Sequence, residues 1–319
     1  MRTALRILLI LGLLMAASCK IGRRPMGAAF VLRDGSPSGD TSRAYYMPVL
    51  GDEGLRFGEP VELPFTGPVD QLVFTPDGRE LWAWAGADIG EPALWSLAFS
   101  GDRFGEPERR FDLSAFPAGL SSAAAPLTDS VVFDALEPVT GRWQLFICDD
   151  GGFRQLSPGD ADYQSPTLSP DGSVIVFSSN RDGVGGAKVD WGLWGYEIAT
   201  GSLFAVYDTP SDEGSPWFAP DGALYFDSFD YVGEVPVGSI WRLDAPEEPY
   251  GSPIGTPTAE RLAGIEGLVL FPRPSPDGEW LLVTVYADPY WMSRVVNLQT
   301  LESLPLADGD AEITYACWR

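Results

Sequence analysis

The most informative segment of this chain is Ser169-Pro170-Asp171-Gly172-Ser173-Val174-Ile175-Val176-Phe177. Its Pro-Asp-Gly core is a turn signal, because proline presets the first corner, the aspartate side chain caps the turn and glycine accepts a positive φ. The run that follows is apolar and rich in β-branched residues, as is typical of a buried strand. We therefore predict a tight turn that leads directly into a strand.

The same signal recurs along the chain, which makes it a repeat. Complete copies of Pro-Asp-Gly begin at Pro76, Pro170, Pro220 and Pro276. The first interval is the widest, and a degenerate copy at Pro126–Ser130 lies inside it. Three further strand-like segments accompany each copy, so that a unit of about 45 residues predicts one four-stranded blade of a β-propeller.

The chain ends predict how the ring of blades closes. Residues 312–318 resemble the first strand of a unit, whereas residues 28–32, 43–49 and 55–63 resemble its second, third and fourth strands. We expect the C-terminal strand to join these N-terminal strands in one blade, which would leave no open edge in the ring. Six blades result. Seven stay open as an alternative if residues 245–258 hide strands, although that Pro- and Gly-rich segment favours an inserted loop.

The residues of the fourth unit resemble a known family. The run from Ser169 to Gly183, followed by Leu193-Trp194 and Ala199-Thr200-Gly201, is similar to the WD-like repeat of the TolB-type propellers. The resemblance covers residues 28–319 and implies an all-β fold with a single propeller. It implies little about activity, because such repeats occur in binding proteins and as accessory domains of peptidases.

The N-terminal residues have the pattern of an export signal. Two arginines within residues 1–6 precede an apolar run at 7–17 that is too short to span a bilayer. The run ends in Ala16-Ala17-Ser18-Cys19, which resembles a lipobox and predicts that Cys19 is acylated. Ordinary cleavage after Ser18, with a free Cys19, is the alternative.

These features divide the chain into three parts: a lipoprotein signal peptide at 1–18, a lipidated tether at 19–27 and the propeller at 28–319. By resemblance to sorted lipoproteins, Lys20 after the cysteine implies an outer membrane, with the protein facing the periplasm. Export permits disulfides, but the predicted layout places Cys148 and Cys317 on non-adjacent blades. We expect both to be free, buried thiols.

Composition excludes several classes of function. Lys and Arg total 21 against 45 Asp and Glu, a net charge of −24, so no nucleic-acid partner is expected, because phosphate binding needs clustered cations. The chain has no histidine, which excludes a Ser-His-Asp triad, a Cys-His dyad and a His-ligated metal. We expect no catalytic residues and no enzyme. Catalysis by paired carboxylates, as in glycoside cleavage, is the alternative that this composition leaves, because it needs no histidine.

Acidic residues recur at matching positions. Asp162 and Asp212 each lie eight positions before a motif proline, and Glu312 holds the same position at the C-terminal unit. We predict that they meet at one mouth of the central channel, where carboxylates can bind a basic partner or Ca²⁺. No other cofactor is expected. The alternative is a set of solvated or turn-capping acids. Three further candidates lie nearby: Asp160, Glu213 and Asp310.

The connections between second and third strands share a face with the connections between blades. Several are long, namely residues 180–192, 228–238 and 287–291, and long loops on a rigid scaffold often bind partners. The candidate loop aromatics are Trp191, Tyr231, Tyr290 and Trp291. Either these rings contact a partner or they pack under their own loops.

Three hypotheses of function follow. The first is a membrane-tethered, non-catalytic propeller that docks a protein or peptide of the cell envelope. The second is a carbohydrate-binding propeller, or a carboxylate-based carbohydrate-active one, which a carboxylate pair at glycosidase separation would favour. The third is a structural subunit of an envelope complex, which copurification would distinguish.

Overall fold

The computed structural model describes fourteen stretches of the chain, and all regular secondary structure within them is β-strand. No helix capable of spanning a membrane occurs in these stretches. The predicted signal peptide, Cys19 and Asp310 lie outside them. The described stretches are 26–33, 42–50, 55–85, 92–100, 103–116, 125–126, 130–149, 152–181, 187–232, 235–245, 258–262, 267–287, 290–306 and 312–319.

The strands are short and follow one another closely, as the density of turn signals predicts. In chain order they are β1 (Gly27–Arg33), β2 (Ser42–Pro48), β3 (Val61–Glu62), β4 (Val69–Phe74), β5 (Glu80–Ala85), β6 (Ala93–Ser100), β7 (Arg103–Phe104), β8 (Glu108–Asp112), β9 (Ala125–Pro126), β10 (Val131–Leu136), β11 (Trp143–Asp149), β12 (Gly152–Gln155), β13 (Tyr163–Leu168), β14 (Val174–Arg181), β15 (Ala187–Glu197), β16 (Leu203–Tyr207), β17 (Asp212–Phe218), β18 (Leu224–Val232), β19 (Val235–Leu243), β20 (Ala259–Arg261), β21 (Leu268–Pro274), β22 (Trp280–Ala287), β23 (Tyr290–Asn297), β24 (Ser303–Pro305) and β25 (Glu312–Trp318).

These strands form six antiparallel sheets, the blades of a six-bladed β-propeller. Blade 1 has the order β25-β1-β2-β3, and blade 2 the order β4-β5-β6-β7 with β8 also paired to β6. Blades 3 to 6 are β9–β12, β13–β16, β17–β20 and β21–β24. Because β19 and β20 flank residues 246–257 and belong to the same blade, the six-blade prediction is confirmed.

The ring closes through the two ends of the propeller, as predicted. Strand β25 pairs antiparallel with β1, from Ala28 opposite Trp318 to Arg33 opposite Glu312. Arg319 then reaches the neighbouring blade, where its Nε donates to the carbonyl of Gly78 at 3.1 Å. Its guanidinium also lies over the ring of Phe99, 4.9 Å from the centroid. The last residue therefore joins blade 1 to blade 2.

The Pro-Asp-Gly turns have the predicted chemistry. In the fourth blade, Asp171 accepts hydrogen bonds from the backbone N–H of Ser173 at 3.0 Å and from the Ser169 hydroxyl at 2.6 Å. Gly172 has a φ of 73°, a conformation that a side chain would strain. These bonds lower the pKa of Asp171, so the turn is fixed by a charged carboxylate at neutral pH.

A backbone irregularity that no sequence motif marks recurs in three of the blades. Ser165, Ser215 and Phe271, each five positions before a motif proline, have positive φ values of 55°, 46° and 57°. The pairing register of β13, β17 and β21 shifts at these residues. The innermost strands of blades 4, 5 and 6 therefore share a β-bulge, which redirects the side chains that follow it.

The core lies between neighbouring blades. One cluster combines Val174 and Val176 of blade 4 with Phe218 and Phe226 of blade 5. Cys148 and Cys317 are both free and buried, which confirms the prediction. Burial raises the pKa of each thiol to about 12, so neither carries a reactive thiolate at neutral pH.

The connections predicted as long loops are largely hairpins. β14 and β15 extend to Arg181 and from Ala187, and β18 and β19 are separated only by residues 233–234. The prediction of loop aromatics is wrong in this respect, because continued strand pairing satisfies backbone groups that a loop would leave to water. All four aromatics lie on strands: Trp191 on β15, Tyr231 on β18, and Tyr290 and Trp291 on β23.

Candidate functional site

The propeller presents two different faces. The backbone N–H of Ile198, after the third strand, donates to the carbonyl of Ser173 at 3.0 Å, directly after a Pro-Asp-Gly turn. Leu298 and Glu279 make the same contact in blade 6. We call this the turn face. The opposite face, the hairpin face, carries the connections between second and third strands.

The predicted acids Asp162 and Asp212 lie toward the hairpin face, between neighbouring blades. Asp162 Oδ1 accepts from the backbone N–H of Trp143 at 2.9 Å, and Asp212 Oδ1 accepts from that of Trp191 at 3.0 Å. Each tryptophan belongs to the third strand of the preceding blade. Asp162 also lies 3.6 Å from the Arg142 guanidinium. Both carboxylates thus hold the base of a neighbouring hairpin.

The remaining acids are placed differently from one another. Asp160 accepts a hydrogen bond from the Tyr163 hydroxyl and lies 3.7 Å from Arg181. Glu213 is buried and accepts from the backbone N–H of Thr209 at 3.2 Å. Glu312 belongs to β25, with its side chain outside the described set.

No metal centre emerges from the side chains that the structure places: no three Cys, Asp or Glu among them come together as ligands. Calcium at Asp162, Asp212 and Glu312 stays a prediction, as does their binding of a partner, because the side chain of Glu312 is not described.

The junction of blades 5 and 6 lacks the aspartate that holds the neighbouring hairpin at the positions of Asp162 and Asp212. Leu268 replaces the aspartate eight positions before the motif proline. Gly238, opposite it, lies so close to β21 that an added Cβ would sit 2.7 Å from the Val269 nitrogen. The missing side chain lets the β18–β19 hairpin lie directly against blade 6.

This close approach creates an apolar surface on the hairpin face. Val237 and Tyr286 are 38% and 39% exposed. The Tyr286 ring lies 5.1 Å from that of the half-buried Trp291, and Leu268 pairs with Tyr286 across β21 and β22. We call this surface the hairpin-face patch; it consists of Val237, Leu268, Tyr286 and Trp291. Of the predicted aromatics, it contains Trp291.

The central channel is crossed by a tryptophan that the sequence analysis did not single out. Trp217 of blade 5 packs against a cluster that contains Val73 and Trp84 of blade 2 and Phe133 of blade 3. Neither blade neighbours blade 5, so this contact crosses the centre of the ring. The Arg273 guanidinium of blade 6 stacks on the Trp217 ring at 4.2 Å.

Buried carboxylates hold the bulges beside this channel. Asp227 Oδ2 accepts from the backbone N–H of Phe271 at 2.8 Å, and Asp134 Oδ2 accepts from that of Ser165 at 3.0 Å. Burial raises the pKa of Asp227 to about 6, against the opposing effects of its hydrogen bonds with Phe271 and Ser215 and of the Arg273 charge. Burial also lowers the pKa of Arg273 to about 10. The signal in the sequence was an acid at the fourth position of the second strand, directly after three apolar residues.

Comparisons with known proteins define the fold. No protein-family model and no curated protein matches the sequence. TolB from Acinetobacter baumannii superposes with a TM-score of 0.67 at 17% identity, over 92% of this chain and 66% of that one. A proposed TolB from Agrobacterium tumefaciens gives 0.56 at 16% identity, over 93% and 99%.

Hydrazine synthase of Kuenenia stuttgartiensis gives a TM-score of 0.62 at 12% identity, over 93% of this chain and 47% of that one. At such low sequence identities, structural similarity shows a shared architecture alone, since one fold hosts many functions. With six four-stranded blades and a ring closed by its own C-terminal strand, the chain has the fold of the TolB-like β-propellers.

Proposed function

We propose that this chain is an exported, membrane-tethered and non-catalytic propeller that binds a protein or peptide of the cell envelope on its hairpin face. The observation that carries the proposal is the hairpin-face patch. Exposed apolar side chains stand there on paired strands, and aromatic residues in such positions are favoured at protein interfaces. A rigid scaffold that presents exposed side chains in this way is a common form of binding site.

The position of the first strand, β1, supports this orientation. Gly27 opens β1 beside the turn face, since its carbonyl accepts from the Arg319 N–H at 2.8 Å and Arg319 also binds Gly78 of a Pro-Asp-Gly turn. A lipid on Cys19 would therefore hold the propeller by its turn face. The hairpin face would point away from the bilayer, free for a partner.

The test is photocrosslinking in intact cells with a photoreactive amino acid at position 237. Position 198 is a matched control, because Ile198 is 37% exposed and lies on the turn face, whereas Val237 is 38% exposed on the hairpin face. We expect a discrete protein adduct from position 237 that is absent from position 198. The substitution Tyr286→Ala should weaken that adduct.

Two results would contradict the proposal. Equal adducts from both positions would show no preference for the hairpin face. The lack of any protein adduct at position 237, together with retention of the protein on a glycan array, would favour the carbohydrate-binding hypothesis instead.

A further inference from the structure

Arg273 is the one basic residue on the described innermost strands of the six blades, which are β4, β9, β13, β17, β21 and β25. These strands line the central channel and carry several acids. As a whole residue Arg273 is half-buried in the wall of this channel. A cation in this position is unexpected on composition alone, in a chain with 45 acidic residues.

The guanidinium is held in a fixed orientation. It stacks on Trp217, whose ring is itself anchored across the channel. One Nη donates to the carbonyl of Pro272 at 3.0 Å, and the Trp318 indole donates to the carbonyl of Arg273 at 2.9 Å. Side chain and backbone are therefore both constrained before any ligand arrives, which reduces the entropy lost on binding.

This cation makes no close ion pair with the residues that the structure describes. No carboxylate of that set lies within 4.0 Å of Arg273, although eight other ion pairs meet that limit. Asp227 acts on it electrostatically, but that carboxylate is bound to the Phe271 N–H and to Ser215. The guanidinium has five N–H donors, and Pro272 accounts for one of the Nη groups.

A largely desolvated cation without a close ion pair is costly, and a carboxylate is the group whose two oxygens match the two parallel N–H donors of arginine. At neutral pH the side chain is protonated, since its pKa of about 10 lies well above 7. A ligand carboxylate would therefore form a charge-assisted, bidentate pair inside the channel, where the low dielectric strengthens it.

We propose that Arg273, held by Trp217, is a carboxylate-binding site in the central channel, and that its ligand is a carboxylate of the peptide partner. The inference rests on the proposed function, which supplies the peptide. Leu268 of the hairpin-face patch and Arg273 stand at opposite ends of β21, so a partner that covers the patch would reach Arg273 with a segment that extends along the channel.

The test is an NMR titration of the Arg273 Nε–H signal in the purified protein. The signal is identified by its loss in Arg273→Gln. The probes are N-acetylglycine, which carries a peptide-like carboxylate, its neutral analogue N-acetylglycinamide, and inorganic phosphate. We expect a saturable shift with N-acetylglycine, no saturable shift with the neutral amide, and weaker binding of phosphate. Binding measured by tryptophan fluorescence should fall at least about tenfold in Arg273→Gln.

A second variant guards against misfolding. Arg273→Lys keeps the charge but loses the planar donor pair, so it should fold and still bind N-acetylglycine about tenfold more weakly. Equal affinity in the wild type and in folded Arg273→Lys or Arg273→Gln would overturn the site, as would tighter binding of phosphate than of N-acetylglycine. If the position-237 adduct forms while N-acetylglycine fails to bind, the carboxylate site is wrong and the proposed function stands.

Discussion

At the scale of single residues, the buried carboxylates are the least expected feature of the ring. Asp134, Glu213 and Asp227 are at most 1% exposed, and each accepts a backbone N–H. Burial disfavours the charged form of a carboxyl group, whereas hydrogen bonds to it favour that form. For Asp227 burial has the larger effect, and its pKa rises from 3.8 to about 6.

This shift predicts a pH-dependent stability. Because the folded pKa of Asp227 exceeds the unfolded value, its protonation stabilises the fold fully below pH 3.8, and that contribution is lost as pH rises through about 6. The expected size is about 3 kcal/mol of unfolding free energy. Urea denaturation of the wild type and of Asp227→Asn, compared from pH 3 to 7, measures it. Other titrating groups cancel in the difference; parallel pH profiles would contradict the assignment.

At the scale of elements, the hydrogen bonds from Asp162 and Asp212 to the preceding blade fix the hairpins. Asp212→Ala removes the acceptor for the Trp191 N–H, at a cost of about 1–2 kcal/mol because the lost hydrogen bond involves a charged group. Asp230→Ala is the control, since Asp230 is an exposed acid of the neighbouring β18. Thermal unfolding gives the stability, and hydrogen exchange of the Trp191 amide gives the local effect. Unchanged exchange in Asp212→Ala would show that this carboxylate does not hold the hairpin.

A second element-scale prediction concerns the contact between blades 5 and 6. In Gly238→Ala the new Cβ would lie 2.7 Å and 2.9 Å from the backbone nitrogen and oxygen of Val269, neither of which can rotate away. Overpacking of this kind costs about 1–3 kcal/mol. Gly105→Ala is the matched control, because its Cβ would meet nothing closer than 3.9 Å. Equal melting temperatures for the two variants would contradict the close approach.

At the scale of the whole molecule, the ring depends on its last strand. Removal of residues 312–319 deletes β25, the innermost strand of blade 1, and exposes the edge of β1. We expect this truncation to abolish cooperative unfolding, because both neighbours of blade 1 lose packing. Arg319→Ala, which removes side-chain contacts to Gly78, Phe99 and Tyr46 but leaves β25 in place, should cost about 1 kcal/mol. Circular dichroism during heating distinguishes the two variants; a cooperative melt in the truncated chain would contradict the closure.

The two faces of the propeller also differ in the kind of connection that each one carries. Turns with the Pro-Asp-Gly signal are short and rigid, and they share their face with the start of the propeller. The opposite face carries the hairpins between second and third strands, which differ in length from blade to blade. A partner that docks there would contact side chains that no repeat pattern specifies.

The all-β class, the six blades, the shared closing blade and the free cysteines could all be predicted before the fold was known. These features depend on local turn chemistry and on a period, which are both written along the chain. The sequence also located the acids at Asp162 and Asp212, but not what they bind. Their acceptor oxygens face backbone N–H groups of another blade, which no local pattern reveals.

Three contacts could not be predicted from the chain: Trp217 crosses the channel, Arg273 stacks on it, and Gly238 lets two blades approach closely. The reason is geometric: each contact joins residues on different blades, far apart in sequence. The direction of each side chain also depends on bulges that shift the strand register. Repetition fixes a scaffold that all blades share, whereas the site arises from the positions at which individual blades depart from it.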